Sequence, residues 1–452
     1  MFEFTRQGLE LLRAQDATLY ELLRAEYQSQ MDSLILVAAS SLADPSTLVC
    51  EGTAISNVTT EGYPGARFHA GCKNVDRIEV LAIERAKIAF RARYANVQPH
   101  SASSANEIIL FKLLKPGQTI LALGLASGGH LTHGSRASVS GKLFRVVNYG
   151  LDARGLIDYE SVQLLAEECR PRLIICGASS YPRALDFPRF RRIADSVGAY
   201  LLADISHIAG LVAGDEHPSP IEHAHFTTTS TYKQLCGPRG GLILMGKDAE
   251  TAAPEGRMTL SEMIQNAVFP FFQGTPHLGA IAAKARALAL VSTPEWKKFA
   301  RRIVANAQVL AGFLKKNGFS LITGGTDNHM ILMDVLCRGM TGLSAERTLE
   351  DCNILVNRNC IPNDKERPSV TSGIRLGTNT VAARNMGVEQ MERIASVIDY
   401  VLRSVRVSGN EPCTLPEDVR KNARAEVRDL CLAFPIPNYP RVPHGARAAA
   451  ES

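Results

Sequence analysis

Residues 173–204 read LIICGASSYPRALDFPRFRRIADSVGAYLLAD, and their pattern is the clearest indication of the fold in this chain. It contains two short apolar runs, Leu173–Gly177 and Tyr200–Ala203, with the amphipathic segment FPRFRRIADSVGA between them. Unbroken apolar runs are typical of strands covered on both faces, and a helix ended by Gly198 would connect them. The spacing is that of a strand–helix–strand unit, which predicts two parallel strands in one sheet.

Further apolar runs of the same kind extend this prediction along the chain. They predict strands at Thr119–Leu123, Phe226–Thr229 and Gly241–Met245. Helical periodicity marks residues 76–94 and a long stretch that ends near residue 317. The sequence therefore predicts an α/β fold with a mostly parallel sheet, in which ligands bind at the carboxyl ends of the strands.

The domain organisation follows from where these patterns change. Leucines recur at helical spacing in the first residues, and the last residues show no apolar period. We expect a helical arm over 1–30, a large domain over 31–285, a smaller α+β C-terminal domain over 286–436 and a loose tail over 437–452.

Composition excludes several classes of protein. Of 452 residues, 45% are hydrophobic and 21% are charged, which is typical of a globular protein. Fifty Lys and Arg against 45 Asp and Glu give a net charge of +5, too small a surplus to indicate nucleic-acid binding. The ten Cys are scattered, no apolar run is long enough to span a membrane, and the amphipathic start carries acidic residues. We expect a cytoplasmic enzyme with reduced thiols and no membrane or nucleic-acid partner.

The segment HFTTTSTYKQLCGPRGG, residues 225–241, carries the strongest chemical signal. A strand leads into a hydroxyl-rich turn, Lys233 and a glycine-rich turn. Hydroxyls and free backbone N–H groups suit a phosphate, and a lysine in a partly buried pocket can form a Schiff base. The alternative is a solvated loop lysine beside a tight turn.

A carboxylate follows a neighbouring apolar strand in the segment LLADISHIAG. Asp204 at the strand end is either a helix cap or a functional acid. Pyridoxal phosphate needs such an acid to keep its ring nitrogen protonated, and Asp204 and Lys233 would then bracket the ring. His207 lies three residues further on, where it either contacts the cofactor or packs in the core.

Two more segments offer anion-binding groups. Ser101, Ala102 and Ser103 open an apparent helix, where hydroxyls and N–H groups bind a phosphate or merely cap the helix. Arg375 lies on a short predicted strand, from which it binds a carboxylate or forms a surface ion pair.

In these motifs the chain resembles the serine hydroxymethyltransferase family of fold type I pyridoxal-phosphate enzymes. Residues from about 30 to 400 carry the similarity, in the family's order. The matching motifs are EGYPGAR, ANVQPHS, GGHLTHGS, DISHIAGLV, TYKQLCGPRGG, GGTDNH and VNRN…VTSGIRLGT.

The resemblance implies a role for each matching position. Lys233 would hold the cofactor covalently, Asp204 would pair with its ring nitrogen, and His207 would lie with Ser179 near its ring oxygen. Glu61, contributed across a dimer interface, would transfer the proton near the substrate hydroxyl and the folate. The remaining implied contacts are Ser101, Ala102, Ser103 and Ser230 for the phosphate, Arg375 for the amino-acid carboxylate, and Leu125, Gly128, Gly129, Leu131 and Asn359 for the folate.

Several positions depart from the family pattern. Ser127 stands where we expect a His stacked on the cofactor ring, and Thr275 stands where a phosphate-binding Gly is usual. Phe68 and His69 replace two Tyr and are expected substrate contacts. The other departures are Ala39, Thr59, Tyr232 and Cys236.

The resemblance implies reversible hydroxymethyl transfer between serine and tetrahydrofolate, giving glycine, with pyridoxal phosphate as cofactor and a homodimer or tetramer with shared active sites. The diverged positions leave a second hypothesis open, a threonine-type aldolase, a transaldolase or an α-methylserine hydroxymethyltransferase. A third hypothesis, a catalytically weak paralogue with a binding or regulatory role, is disfavoured because Lys233 and Asp204 are retained.

Overall fold

The computed structural model describes residues 1–254, 256–406 and 414–440. Fifteen strands lie within these residues. They are β1 Leu34–Ile35, β2 Gly62–Tyr63, β3 Ala66–Arg67, β4 Tyr94–Asn96, β5 Thr119–Leu123, β6 Arg145–Tyr149, β7 Leu173–Cys176, β8 Tyr200–Asp204, β9 Phe226–Ser230, β10 Gly241–Met245, β11 Ser320–Leu321, β12 Met330–Asp334, β13 Ile354–Leu355, β14 Asn357–Asn359 and β15 Gly373–Gly377.

Sixteen α-helices accompany these strands in the same described part of the chain. They are α1 Phe2–Gln15, α2 Ala17–Asp32, α3 Pro45–Glu51, α4 Lys73–Phe90, α5 Ala102–Leu113, α6 Val139–Leu143, α7 Tyr159–Cys169, α8 Phe187–Val197, α9 Ala209–Ala213, α10 Leu260–Asn266, α11 Leu278–Val291, α12 Pro294–Lys316, α13 Gly342–Glu350, α14 Asn379–Ala383, α15 Val388–Ser404 and α16 Glu417–Ala433.

The central sheet has seven strands in the order β4–β10–β9–β8–β7–β5–β6. The strands from β9 to β6 in this order are parallel, whereas β10 runs antiparallel to both of its neighbours. Alternate residues of a strand point to opposite faces, and both faces are packed. Ile174 and Leu201 join the core on one face, and Ile175 and Leu202 join the core on the other. The α/β fold with a mostly parallel sheet is confirmed.

The βαβ unit forms as the sequence predicts. Helix α8 begins after Asp186, whose side chain accepts a hydrogen bond from the N–H of Arg189 at 2.9 Å. It ends at Gly198, which has the left-handed conformation of a helix C-terminus. The helix returns the chain so that β8 lies beside β7, with Leu201 opposite Ile174. This arrangement places Asp204 at the carboxyl end of its strand, at the ligand-binding edge of the sheet.

A second unit is built around the antiparallel sheet β11–β12–β15–β14 and has its own core. Leu34 and Leu36 belong to that core, because β1 pairs with β13. The beginning of the range predicted for the large domain therefore packs in the second unit. The other predicted domain bounds stay predictions.

Two local predictions need correction, at residues 76–94 and at the start of the tail. The helix predicted for 76–94 is α4, and it ends at Arg91, where the chain turns into β4. The arm predicted for 1–30 consists of two helices with Asp16 between them. The tail predicted as loose is held at its start, where Tyr439 donates to the carbonyl of Ala43 at 2.8 Å. The rest of that tail, 441–452, lies outside the described residues.

None of the helices in the part of the chain that the structure describes combines the length and the apolar character needed to span a bilayer.

Candidate functional site

A cavity of about 280 Å³ lies at the carboxyl ends of β8 and β9, beside the first turn of α5. Parallel strands bring their carboxyl ends to the same edge of a sheet, which is why residues far apart in the sequence meet here. The cavity is lined by His100, Ser101, Ala102, Ser103, His130, His133, Ala178, Ser179, Asp204, Ser206, His207, Ser230, Tyr232, Lys233, Arg239 and Gly240.

Lys233 supplies the amine of the cavity. It is only 7% exposed, and its Nζ lies 3.0 Å from Nε2 of His207. Burial lowers the pKa of Lys233 to about 8; the charge of Asp204 opposes this shift, and the cations Arg375 and Arg239 add to it. The amine therefore carries a far larger neutral fraction near neutral pH than a surface lysine does, and a neutral amine can attack a carbonyl.

Hydrogen-bond donors surround both carboxylate oxygens of Asp204 and stabilise its ionised form. Its Oδ2 accepts from Asn106 Nδ2 at 2.8 Å and faces His133 Nε2 at 3.1 Å. Its Oδ1 accepts from the backbone N–H of Ser206 at 3.0 Å and from the hydroxyl of Ser206 at 2.5 Å. Burial by itself would raise the pKa of Asp204, but these hydrogen bonds and the charge of His133 hold it well below its usual range. The carboxylate stays ionised and oriented.

His207 connects the lysine to the second unit. Burial, and then the charge of Lys233, lowers the pKa of His207 well below its ordinary value, so the ring is neutral. Its ring is stacked on His329, with centroids 6.3 Å apart and planes 15° apart. Its Nδ1 has no hydrogen-bond partner within the described residues. His207 therefore contacts Lys233 through Nε2, while its Nδ1 is left without a hydrogen bond.

The anion-binding end of the cavity is the first turn of α5. Ser101 caps this helix by accepting a hydrogen bond from the N–H of Ser104 at 3.0 Å. The next N–H groups, of Ala102 and Ser103, have no intrahelical acceptor because of their place in the first turn. Ser230 and Gly240 line the same end. Hydroxyls, free N–H groups and the positive end of a helix dipole together suit a phosphate.

Arg375 lies on β15 and reaches across to the large unit. Its Nη1 donates to the carbonyl of Ser179, and its Nε donates to Oδ1 of Asn357 at 3.2 Å. The guanidinium is buried, and its charge lowers the pKa values of both Lys233 and His207. The structure therefore brings together the lysine, the acid, the serines and the arginine that the sequence singled out.

Other expected contacts lie elsewhere in the chain. Ser127 and Leu125 line a neighbouring cavity of about 750 Å³, and Ser127 does not reach the cavity of Lys233. Four imidazole side chains do line that cavity: His100, His130, His133 and His207. Burial lowers the pKa of His130 to about 4, with Asp204 opposing the shift.

Eight further expected contacts, for the cofactor, the substrate or the folate, lie outside the lining of the cavity of Lys233. Three of them, Phe68, His69 and Leu131, are exposed, and the ring of Phe68 lies against Phe269. Three are held through their backbone carbonyls: Glu61 O accepts from Phe68 N at 3.2 Å, Gly128 O accepts from Ser179 N at 2.7 Å, and Thr275 O lies 3.0 Å from His100 Nε2. The other two donate to nearby carbonyls: the N–H of Gly129 to Gly124 O at 3.0 Å, and the side chain of Asn359 to Cys360 O at 2.7 Å.

Eight lining residues were not predicted as site residues: His130, His133, Ser206, Arg239, His100, Ala178, Tyr232 and Gly240. The first two stand three apart in GGHLTHG, and the third follows Asp204 by two positions, so each lay inside a motif already noted. Arg239 lies over the ring of Tyr232, with its Cζ 4.2 Å from the centroid. The two histidines of GGHLTHG were the signal in the sequence that could have identified His130 and His133 as site residues.

The residues present fit pyridoxal phosphate. The cofactor needs an amine for a Schiff base and an acid for its ring nitrogen, which the buried Lys233 of lowered pKa and the ionised Asp204 supply. The hydroxyl-rich start of α5 suits its phosphate, and the unpartnered Nδ1 of His207 is a further polar atom among the lining residues.

Comparisons with known proteins agree with this geometry. A family model described as serine hydroxymethyltransferase matches residues 12–398. A protein named serine hydroxymethyltransferase from a Cyanothece species is 45% identical over 444 residues, which cover 97% of this chain and 99% of that relative. Proteins of the same name from Rhodospirillum centenum and a Wolbachia species are 45% and 43% identical, each over 94% of this chain and 96% of the relative.

Proposed function

This chain belongs to the serine hydroxymethyltransferase family, whose members are fold type I pyridoxal-phosphate enzymes that use tetrahydrofolate as co-substrate, and we propose that it moves a hydroxymethyl group between serine and tetrahydrofolate, giving glycine. The observation that carries this proposal is the meeting of Lys233 and Asp204 at one buried cavity, with the phosphate-binding start of α5 beside them. A weak paralogue with only a binding role would have no need for an ionised Asp204 held by four donors.

Each lining residue has a place in the proposal. Lys233 would hold the cofactor, Asp204 would keep its ring nitrogen protonated, and Ser101, Ser103 and Ser230 would bind its phosphate. Bound pyridoxal phosphate supplies an electron sink for bond cleavage at the substrate's α-carbon. The protein's own contribution is to keep the amine poorly solvated, which burial of Lys233 achieves.

Arg375 would bind the amino-acid carboxylate. A guanidinium presents two parallel N–H groups, which match the two oxygens of a carboxylate. Its bonds to Ser179 and Asn357 fix the side chain before any substrate arrives. A fixed arginine would therefore orient the substrate relative to Lys233 at little entropic cost.

Glu61 requires a second copy of the chain. It does not line the cavity of Lys233, and its Oε1 lies instead beside Gly274, 3.2 Å from where a Cβ would stand. Helix α2 has no buried residue and exposes Leu19, Leu22 and Leu23. Exposed apolar faces of this kind support an interface. Members of this family are oligomeric, and we infer a homodimer in which Glu61 of one copy serves the site of the other.

Mixing two inactive variants tests the shared site. Lys233→Ala and Glu61→Gln homodimers should both be inactive. A mixed dimer has one site with both substitutions and one site with neither, so random mixing should restore roughly a quarter of the wild-type activity. If mixing restores none while the copies demonstrably exchange, Glu61 does not act across an interface.

The reaction is tested with the cofactor-loaded protein and three substrates, L-serine, L-threonine and α-methylserine, each with and without tetrahydrofolate. We expect serine cleavage that requires tetrahydrofolate. Folate-independent cleavage of a bulkier substrate, with serine inert, would refute the proposal. It would favour the second candidate, an aldolase or transaldolase, for which the departures from the family pattern at Phe68, His69, Ser127 and Tyr232 are the supporting observation.

A further inference from the structure

Lys284, in α11, is a buried cation that the proposed reaction does not use. It is 2% exposed, and its Nζ donates to three backbone carbonyls: Val97 at 2.7 Å, Pro99 at 3.1 Å and Gly241 at 3.0 Å. These bonds satisfy all three donors of the ammonium. Among the described residues it forms no ion pair with a carboxylate. The lysine therefore joins two chain segments through their carbonyls alone.

The two segments are those that form the phosphate-binding end of the cavity. The first, 97–99, leads directly into His100 and Ser101, and the second follows Gly240. Lys284 itself does not line the cavity, so it lies behind them. The packing is close, because a Cβ at Gly240 would lie 2.3 Å from Lys284 Cε, and a Cβ at Gly241 would lie 2.3 Å from the carbonyl oxygen of Ser101.

Other contacts make the same segment rigid. Gln273 Nε2 donates to the carbonyl of Gln98 at 3.1 Å, and Gly241 N–H donates to the carbonyl of Pro99 at 2.9 Å. With Lys284, the carbonyls of all three residues from 97 to 99 are bonded. Loss of Lys284 would leave two of these buried carbonyls with fewer donors, which is costly in a dry interior.

We propose that Lys284 is a positioning residue for the cofactor phosphate, which fixes Ser101 and Gly240 from behind and adds a positive charge on the closed side of the phosphate site. The inference rests on the proposed function, since it takes the cavity to bind pyridoxal phosphate. Burial lowers the pKa of Lys284 to about 7, against the opposing charges of Glu79 and Glu51. An anion bound in front of the lysine would favour its charged form, so the two charges support each other.

The test compares two ligands that differ only in the phosphate. Dissociation constants of pyridoxal phosphate and of pyridoxal are measured by absorbance with the cofactor-free full-length protein, both wild type and Lys284→Met. We expect Lys284→Met to weaken binding of pyridoxal phosphate about tenfold or more, which corresponds to about 1.4 kcal/mol, while binding of pyridoxal changes little. The matched control is Arg286→Met, which removes a cation from the same helix whose Nε bonds to Ser46 instead. This control should leave both constants unchanged.

The remaining outcomes distinguish a failure of the role proposed for Lys284 from a failure of the proposed function. Equal loss for both ligands, or no loss for either, would overturn the role of Lys284 and leave the proposed function standing. A wild-type protein that binds neither ligand would instead refute the proposed function. If Lys284→Met does not fold, Lys284→Gln keeps two N–H donors for the carbonyls without the charge and should show a smaller loss that is still selective for the phosphate.

Discussion

Asp204→Asn removes a buried charge while nearly keeping the shape of the side chain. In either orientation of the new amide, its NH₂ group faces another hydrogen-bond donor whose position is fixed by the surrounding structure. On one side this donor is the backbone N–H of Ser206, 3.0 Å away. On the other side it is the amide of Asn106, whose own oxygen accepts from Thr228 at 2.6 Å and so holds it in place.

The size of the effect follows from this geometry. The substitution loses at least one hydrogen bond to a charged acceptor, about 1.5–3 kcal/mol, and leaves one buried donor unsatisfied, about 1–3 kcal/mol. We expect the cofactor-free protein to lose about 3–5 kcal/mol of its free energy of unfolding at pH 7. The loss should shrink at acid pH. Because the folded protein lowers the pKa of Asp204, its stabilisation is complete above the unfolded-state value of about 3.9 and is lost as the pH falls below that.

The assay is urea unfolding followed by circular dichroism from pH 7 down to pH 3. Asp215→Asn is the control, because this exposed acid pairs with Arg91 and Lys297 at the surface and should cost less than about 1 kcal/mol. A loss below about 1 kcal/mol for Asp204→Asn, or a loss that stays constant down to pH 3, would refute the reasoning that the network holds a charge.

Three further predictions follow from the same contacts. Reductive methylation of Lys233 in the cofactor-free protein, followed by mass spectrometry, should rise with an apparent pKa of about 8, and a midpoint above pH 10 would contradict the burial of its amine. Glu79→Gln should cost about 3 kcal/mol in urea unfolding, because the buried carboxylate accepts from Arg67 at 2.5 Å and Gln98 at 2.7 Å; a cost below about 1 kcal/mol would show that the pair is dispensable. Arg375→Lys should raise the KM for the amino acid about tenfold with a smaller change in kcat, since an ammonium cannot bind a carboxylate through two parallel N–H groups; an unchanged KM would place the carboxylate elsewhere.

The sequence predicted those features that depend on local pattern. The strand before Asp204 and the strand before Lys233 were visible as apolar runs, and strand ends in a parallel sheet meet at one edge. The end of α8 at Gly198 was visible because glycine tolerates the left-handed turn there. The longer matching motifs further predicted the family, and the family resemblance implied the cofactor.

Contacts between distant segments could not be predicted in the same way. Ser127 lies one turn from His130 along the chain, yet only His130 lines the cavity, because the chain turns at Gly128 between them. Leu34 and Leu36 precede the large unit in the chain but pack in the second core, because β1 finds its partner in β13.

The α/β fold, the family and the pairing of Lys233 with Asp204 were all predictable from the sequence, since each rests on the order of residues within short segments. The tertiary structure was needed to show that Lys284 bonds to the backbone just before His100 and Ser101. The physical reason is that burial and hydrogen bonding between segments 100 or more residues apart depend on how whole elements pack, which no local pattern records.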